Sequence, residues 1–262
     1  MTIISNVRQI TKAVIPVAGK GTRLLPLTKA VPKELIPLGR KPVLEHVIEE
    51  VVDAGITEVL FVISKEKTAI RDHFGDSWGK IRFQYVFQHE QKGLADAIYC
   101  AKDFVSNNPF AVILGDSVID TDQPILPFTR VLDTYRDTAA RGVIVVQRTP
   151  RDEVGRYGIV KPKSNIAPSF EIDGLVEKPN PKDAPSEYAI AGRYAFDPMI
   201  FDYIDRTHRG AGGEYQITDS IGLMLQDSNE VWCVALGDNE IRRDIGTFDS
   251  YFEAFEIYKG KS

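Results

Sequence analysis

The sequence predicts an α/β fold of three layers, with a mostly parallel central sheet and a small mixed β sub-domain. Three observations predict it. From residue 13 to residue 147, short apolar runs of strand length alternate with segments of helical periodicity. Some of those runs, Glu58 to Ile63 and Gly142 to Gln147 among them, are apolar almost throughout, as strands covered on both faces are. Beyond residue 150 the helical pattern gives way to strands joined by loops rich in Pro, Ser and Asn.

The first element is the apolar run from Ala13, too brief for a helix, which turns over Gly19 and Gly21 and then places Lys20, Arg23, Lys29 and Lys33 in a loop. Pro42 to Ala54 reads as a helix: Val43, Val47, Val51 and Val52 recur at near-helical spacing, Pro42 suits a first turn and Gly55 a stop. A strand at Glu58 to Ile63 and a helix at Lys65 to Phe74 follow. Phe83, Tyr85 and Phe87 alternate as a strand over Arg82 to Phe87, Leu94 to Phe104 returns to helix, and Phe110 to Leu114 is a strand. Pro124 to Arg141 is helical and Gly142 to Gln147 is a buried strand. Tyr157 to Lys161, Ile172 to Lys178 and Tyr188 to Phe196 form the smaller mixed sheet. A helix then starts in Gly213–Asp219 and runs through Leu225, a strand spans Val231 to Leu236, and Phe248 to Tyr258 is a C-terminal helix.

The chain of 262 residues is long enough to bury a large core, and no linker divides it. A single domain is expected, with about 10–148 and 149–247 as its halves and 248–262 as a terminal helix. Its 43% apolar and 26% charged residues are ordinary for a globular protein, and a formal charge of −5 leaves no basic footprint for nucleic acid or an acidic membrane. Cys100 and Cys233 have no Cys or His at ligand spacing, so neither a disulfide scaffold nor a zinc site is indicated. Met1 to Gln9 lacks the pattern of a signal peptide and no apolar stretch is long enough for a membrane span, so a cytoplasmic location is expected.

A strand, a glycine turn and then cations suit a phosphate site. Glycines let backbone N–H groups turn toward an anion, and fixed cations neutralise charge that peptide dipoles cannot. The spacing matches neither Walker A nor the dinucleotide fingerprint, which would need a glycine at Leu24. A turn kept for packing, with its lysines solvated, accounts for the same residues equally well. In parallel sheets ligands sit at the carboxyl ends of strands. The glycine loop, the segment from Gln88 to Ala97, and Leu114-Gly-Asp116-Ser117 all follow strands, and so converge on one rim. Asp116 is placed to hold Mg²⁺ beside a triphosphate, although a turn or helix cap is the commoner use of Gly-Asp.

The ordered set Gly19-Lys-Gly-Thr-Arg-Leu-Leu-Pro, Pro32-Lys-Glu-Leu-Ile-Pro-Leu and Lys41-Pro resembles the signature of the sugar-1-phosphate nucleotidylyltransferases. Within that family it is most similar to the bacterial enzymes that transfer a uridylyl group from UTP to glucose 1-phosphate. The resemblance implies a Rossmann-like nucleotide-diphospho-sugar transferase fold, a Mg²⁺ cofactor and a homo-oligomer, dimer or tetramer. It implies nucleotide contacts from Ala18, Gly19, Gly21, Thr22, Glu34, Gln88 and Gly93, with Arg23 and Lys33 on the triphosphate. It further implies sugar contacts from Gly158, Glu177 and Gly192, a sugar-phosphate contact from Lys178, and metal ligands Asp116 and Asp244. Gly213-Glu-Tyr-Gln-Ile-Thr-Asp219 also matches, and a capping and packing role is expected of it before a catalytic one.

Three features depart from the uridylyl pattern. Gly115 stands where Pro is usual, Gly246-Thr247-Phe248 replaces Gly-Asn-Lys, and the long insertion expected after the second helix is missing. The first two lean toward thymidylyl and cytidylyl relatives, so dTTP or CTP is the alternative substrate; a catalytically silent nucleotide-sugar sensor is a more distant one. A phosphate is already a nucleophile, and the implied reaction needs none of the four histidines, which form no constellation.

Overall fold

Alternate residues of the strand Glu58–Ile63 enter different cores. Val59, Phe61 and Ile63 pack in one apolar cluster, Leu60 and Val62 in another, as a sheet covered on both faces requires. The computed structural model describes residues 8–164 and 166–260; the start of the N-terminal stretch read above, and the last two residues of the C-terminal segment, lie outside them.

The elements run β1 (Lys12–Pro16), β2 (Pro37–Leu38), β3 (Lys41–Pro42), α1 (Val43–Asp53), β4 (Glu58–Ile63), α2 (Thr68–Phe74), β5 (Ser77–Trp78) and β6 (Ile81–Phe87). Next come α3 (Leu94–Tyr99), α4 (Lys102–Val105), β7 (Phe110–Ile113), β8 (Ser117–Asp120), α5 (Pro127–Asp137) and β9 (Gly142–Arg148). The second half holds β10 (Gly158–Pro162), β11 (Ser169–Glu177), β12 (Tyr188–Phe196), α6 (Ile200–Arg206), α7 (Ile217–Gln226), β13 (Val231–Ala235), β14 (Ile241–Asp244) and α8 (Phe248–Tyr258).

Among the described residues one sheet has the order β10-β11-β13-β9-β12-β7-β1-β4-β6-β5. Its β7-β1-β4-β6 portion is parallel, as expected. The mixed second half is an outgrowth of this sheet and not a separate one. β12 pairs antiparallel with β7 on one edge and with β9 on the other, and so joins the two halves. A register shift between Ile190 and Tyr194 bends β12, and Ala189 also meets Ile159 of β10, so the outer strands curl. Helices α1, α2 and α5 cover one face, and α3, α4, α6 and α7 the other. Leu38, Val43, Val118, Ile245, Ala254 and Tyr258 form a small third cluster under α8.

Several boundaries differ from the sequence expectation. The helix expected from Pro124 starts at Pro127, which occupies the first turn, and ends at Asp137 because Thr138 is extended. The helix expected over Leu94 to Phe104 is two, parted where Ala101 N–H bonds back three residues to the Ile98 carbonyl. The helix expected to start within Gly213–Asp219 does so, at Ile217, after two glycines in the left-handed region. Short β8, β14 and α6 were not foreseen; β8 and β14 carry Asp and Arg where a strand signal needs an apolar run.

The two halves are clamped by a buried ion pair. Arg193 on β12, with no exposed surface, places Nε 3.1 Å from both carboxylate oxygens of Glu50 on α1 and Nη2 2.7 Å from Oε2. The same Nη2 donates to the Ser117 carbonyl at 3.0 Å, and Nη1 to Ser117 Oγ at 3.3 Å. A buried pair of this kind adds little over apolar residues, but breaking it strands a charge. Arg193→Met is therefore expected to lower unfolding free energy by roughly 3–5 kcal/mol in urea titration. The double variant Glu50→Leu, Arg193→Met should recover most of that loss.

Candidate active site

The pairing of β8 with β14 creates the centre of the site. Ser117 lies opposite Asp244, and Ile245 N–H donates to the Asp116 carbonyl at 2.9 Å. Asp116 and Asp244, distant in sequence, are thus neighbours across one two-stranded ribbon. Both carboxylates are partly buried, about one fifth exposed.

Lys33, in a short 3₁₀ turn, donates its ammonium to Asp116 Oδ2. Burial alone would raise the Asp116 pKa, but the Lys33 charge and hydrogen bond, helped by Arg242, bring it down to about 2. Burial likewise works to discharge Lys33, and the negative charges of Asp116, Glu34 and Asp244 overcome it, holding the ammonium well above the usual lysine range.

The expected nucleotide residues come together. Ala18, Gly19, Arg23, Lys33, Glu34, Gln88, Gly93 and Asp116 all line one cavity of about 410 Å³, a size suited to a small ligand. Gly21 and Thr22 belong to the same loop without lining it. Gln91, Leu114 and Glu214 also line it and were not foreseen. Gln88 Nε2 donates to Asp96 Oδ2 at 2.7 Å and to the Gly93 carbonyl at 3.3 Å, which fixes the orientation of its amide.

Two contacts shape this cavity. Lys67, at the turn after β4, donates to both oxygens of Glu34 at 2.9 and 2.7 Å and to the Val17 carbonyl at 2.8 Å. It ties the start of the glycine loop to its far end, so both Glu34 oxygens already have a cationic partner. Burial raises the Glu34 pKa and lowers that of Lys67, and each partner opposes the shift of the other. Lys67 gave no sequence signal, being one of several lysines near a strand end. Gly93 has φ +122°, and a Cβ there would stand 2.5 Å from the Tyr215 carbonyl oxygen. Tyr215 N–H bonds to the Lys92 carbonyl at 2.7 Å, and Ala95 N–H to the Tyr215 carbonyl at 3.0 Å. Gly213–Asp219 therefore packs against the loop before α3, the role expected of it.

The expected sugar residues lie on β10, β11 and β12. Gly158 pairs with Glu177, whose Oε2 accepts a hydrogen bond from Thr218 at 3.0 Å. The Gly192 carbonyl accepts from Leu114 N–H at 3.0 Å, beside the nucleotide cavity. Lys178 is half exposed, 3.5 Å from Glu177, with φ +48°, a conformation that costs a non-glycine residue about 1–2 kcal/mol and is often retained at functional sites. Arg23 and Asp244 meet at Gly246: a Cβ there would stand 2.8 Å from Arg23 Nη2 and 3.2 Å from Asp244 Oδ1. Thr247, in place of the usual Asn, caps α8: its Oγ1 accepts from Ser250 N–H at 3.2 Å, and Ser250 Oγ accepts from Thr247 N–H at 3.1 Å.

Among the described residues no three His, Cys, Asp or Glu side chains converge as a self-sufficient metal site. Two adjacent carboxylates, one already neutralised by an ammonium, suit an ion such as Mg²⁺ that keeps waters and takes further oxygens from phosphate. No helix among the described residues is long and apolar enough to cross a membrane.

Comparison with known proteins identifies the family. Residues 12–261 match the family described as Nucleotidyl transferase. The chain is 40% identical over 261 residues to a UTP–glucose-1-phosphate uridylyltransferase of Staphylococcus epidermidis, covering 91% of this chain and 88% of that protein. It is equally 40% identical to the enzyme of that name from Bacillus subtilis strain 168, over 91% and 87%. A crystal structure of UDP-glucose pyrophosphorylase complexed with UDP-glucose superposes with a TM-score of 0.90 at 31% identity, covering 97% of this chain and all of that one. A putative glucose-1-phosphate thymidylyltransferase from Bacillus anthracis, in complex with a sucrose, gives 0.81 at 26% identity, over 96% of each chain.

The Asp116 pKa carries a pH signature. Because it lies below its unfolded value, its stabilising contribution is complete above the ordinary carboxylate range and is lost as pH falls through about 2. The difference in urea stability between the wild type and Asp116→Asn should stay constant from pH 7 to 5 and shrink toward pH 2. A second variant, Gly93→Ala, should fall by more than about 1 kcal/mol in stability, from the strained φ and the collision with Tyr215.

Proposed function

The chain belongs to the nucleotidyl transferase family, and from that premise we propose how its residues transfer a uridylyl group from UTP to glucose 1-phosphate, giving UDP-glucose and pyrophosphate. The observation that carries the reading is the meeting of Asp116, Asp244, Lys33 and Arg23 at one end of the β8–β14 ribbon. These residues supply the charges that two polyanionic substrates need in order to approach.

A phosphate oxygen of glucose 1-phosphate attacks the α-phosphorus of UTP. The new O–P bond forms as the bond from the α-phosphorus to the bridging oxygen of the β-phosphate breaks, and that electron pair leaves with pyrophosphate. No proton has to move, so alignment and charge neutralisation carry the catalysis. Lys33 and Arg23 hold the triphosphate and the departing pyrophosphate, with backbone contacts from Ala18, Gly19, Gly21 and Thr22. Asp116 and Asp244 hold a divalent cation, Mg²⁺, which when bound neutralises further phosphate charge. Lys178 takes the sugar phosphate, and Gly158, Glu177 and Gly192 the sugar.

Gln88 and Gly93 read the uracil edge. With Gln88 Nε2 committed to Asp96, its Oε1 is the atom left to accept from a pyrimidine N–H. Glu34, held by Lys67, supports the wall beside them. The nucleotide half, about 10–148, and the sugar half, 149–247, then face each other across the ribbon.

Lys33→Ala and Asp116→Ala are each expected to lower kcat by about 10²–10³-fold, with circular dichroism unchanged. Pyrophosphate release with glucose 1-phosphate and UTP, dTTP or CTP in turn should be fastest with UTP. Faster release with dTTP would move the chain to the thymidylyl reading that Gly246-Thr247-Phe248 favours.

A further inference from the structure

The two most buried arginines near the aspartates differ in how their donors are used. Arg193 donates to Glu50 and Ser117 from Nε, Nη1 and Nη2. Arg242, on β14, is only 13% exposed, yet no hydrogen bond from its guanidinium is present among the described residues. Its Nε is fully buried and unpartnered. Its Nη2 stands 3.7 Å from Asp244 Oδ2, an ion pair too long for a hydrogen bond, and its guanidinium lies 5.5 Å from the Tyr157 ring. Only its backbone N–H is bonded, to Gln147 Oε1 at 2.7 Å.

Burying a guanidinium Nε–H without a hydrogen bond is costly, and such a group calls for an explanation. One is at hand. Arg242 forms a wall of a cavity of about 470 Å³, also lined by Gln147, Tyr157, Ile190, Asp244 and Thr247. This space opens on the Asp244 side of the ribbon, whereas the nucleotide cavity lies on the Asp116 side. Tyr157 precedes Gly158, so the cavity adjoins the sugar half. The fork of a guanidinium matches phosphate oxygens, and a charge-assisted hydrogen bond to them is among the strongest available.

We infer that Arg242 is a substrate-binding residue, donating to the phosphate of the sugar 1-phosphate as that phosphate approaches Asp244. This rests on the function proposed above, and it adds to Lys178 a second cation for the nucleophile. The cation–π contact with Tyr157 at 5.5 Å favours this position of the guanidinium without using up its donors.

The test uses Arg242→Gln and Arg242→Lys in the full chain. Steady-state kinetics should show KM for glucose 1-phosphate raised roughly 10- to 100-fold in the Gln variant and less in the Lys variant, with KM for UTP within about twofold of wild type. Isothermal titration of glucose 1-phosphate into each protein should show the same loss, and thermal melting should stay near wild type. Equal KM values for glucose 1-phosphate in wild type and Arg242→Gln would overturn the assignment, as would a larger rise in KM for UTP. A loss of melting temperature with glucose 1-phosphate affinity retained would make Arg242 a packing residue only. Absence of turnover in the wild type would instead sink the uridylyl reading, while the titration would still judge Arg242.

Discussion

The antiparallel pairing of two four-residue strands, β8 and β14, is the constraint on which the site depends. β8 starts just after Asp116 and β14 ends at Asp244, and a ladder fixes the spacing of residues opposite one another far more tightly than loops could. Neither strand is stabilised by an apolar run of its own. The ribbon is held from outside: Val118 and Ile245 sink into the cluster under α8, Arg243 pairs with Asp120 at 2.7 Å, and Arg193 grips Ser117. The geometry of the ribbon is therefore set by residues outside the cavity that Asp116 lines.

Charge is arranged by the same logic. Lys33 and Lys67 both meet carboxylates in partly or wholly buried surroundings, and yet they do different work. Lys67 is bound to Glu34 and to the Val17 carbonyl, so its donors are spent on holding the loop. Lys33 is paired with Asp116 at the wall of the cavity, where the proposed function has the one meet phosphate and the other a cation. A buried pair is weak evidence of stability, but a pair at a cavity wall has the preorganisation that the proposed reaction uses. The contrast between Arg193 and Arg242 repeats the distinction on the sugar side.

The sheet itself explains how one chain joins a parallel and a mixed half without a linker. β12 runs antiparallel between β7 and β9, so the end of the parallel portion and the start of the mixed portion share a strand. Its break in register near Gly192 lets it serve both. The fully apolar strands announced the parallel portion in advance, because burial on both faces leaves a compositional trace. The continuity of the sheet left none, since a strand's partners are not written in its own residues.

The sequence by itself determined the α/β alternation, the glycine loop and, through its ordered motifs, which ionic residues to look for. Those features are local: spacing, turn chemistry and runs of apolar residues act over a few positions. Only the tertiary structure decided that Asp116 and Asp244 are neighbours, that Lys67 pairs with the Glu34 carboxylate, and that the Arg242 guanidinium keeps its donors unspent. Each of these depends on pairing between segments distant in the chain, where the closing geometry is set by packing of the whole core and not by any stretch of sequence.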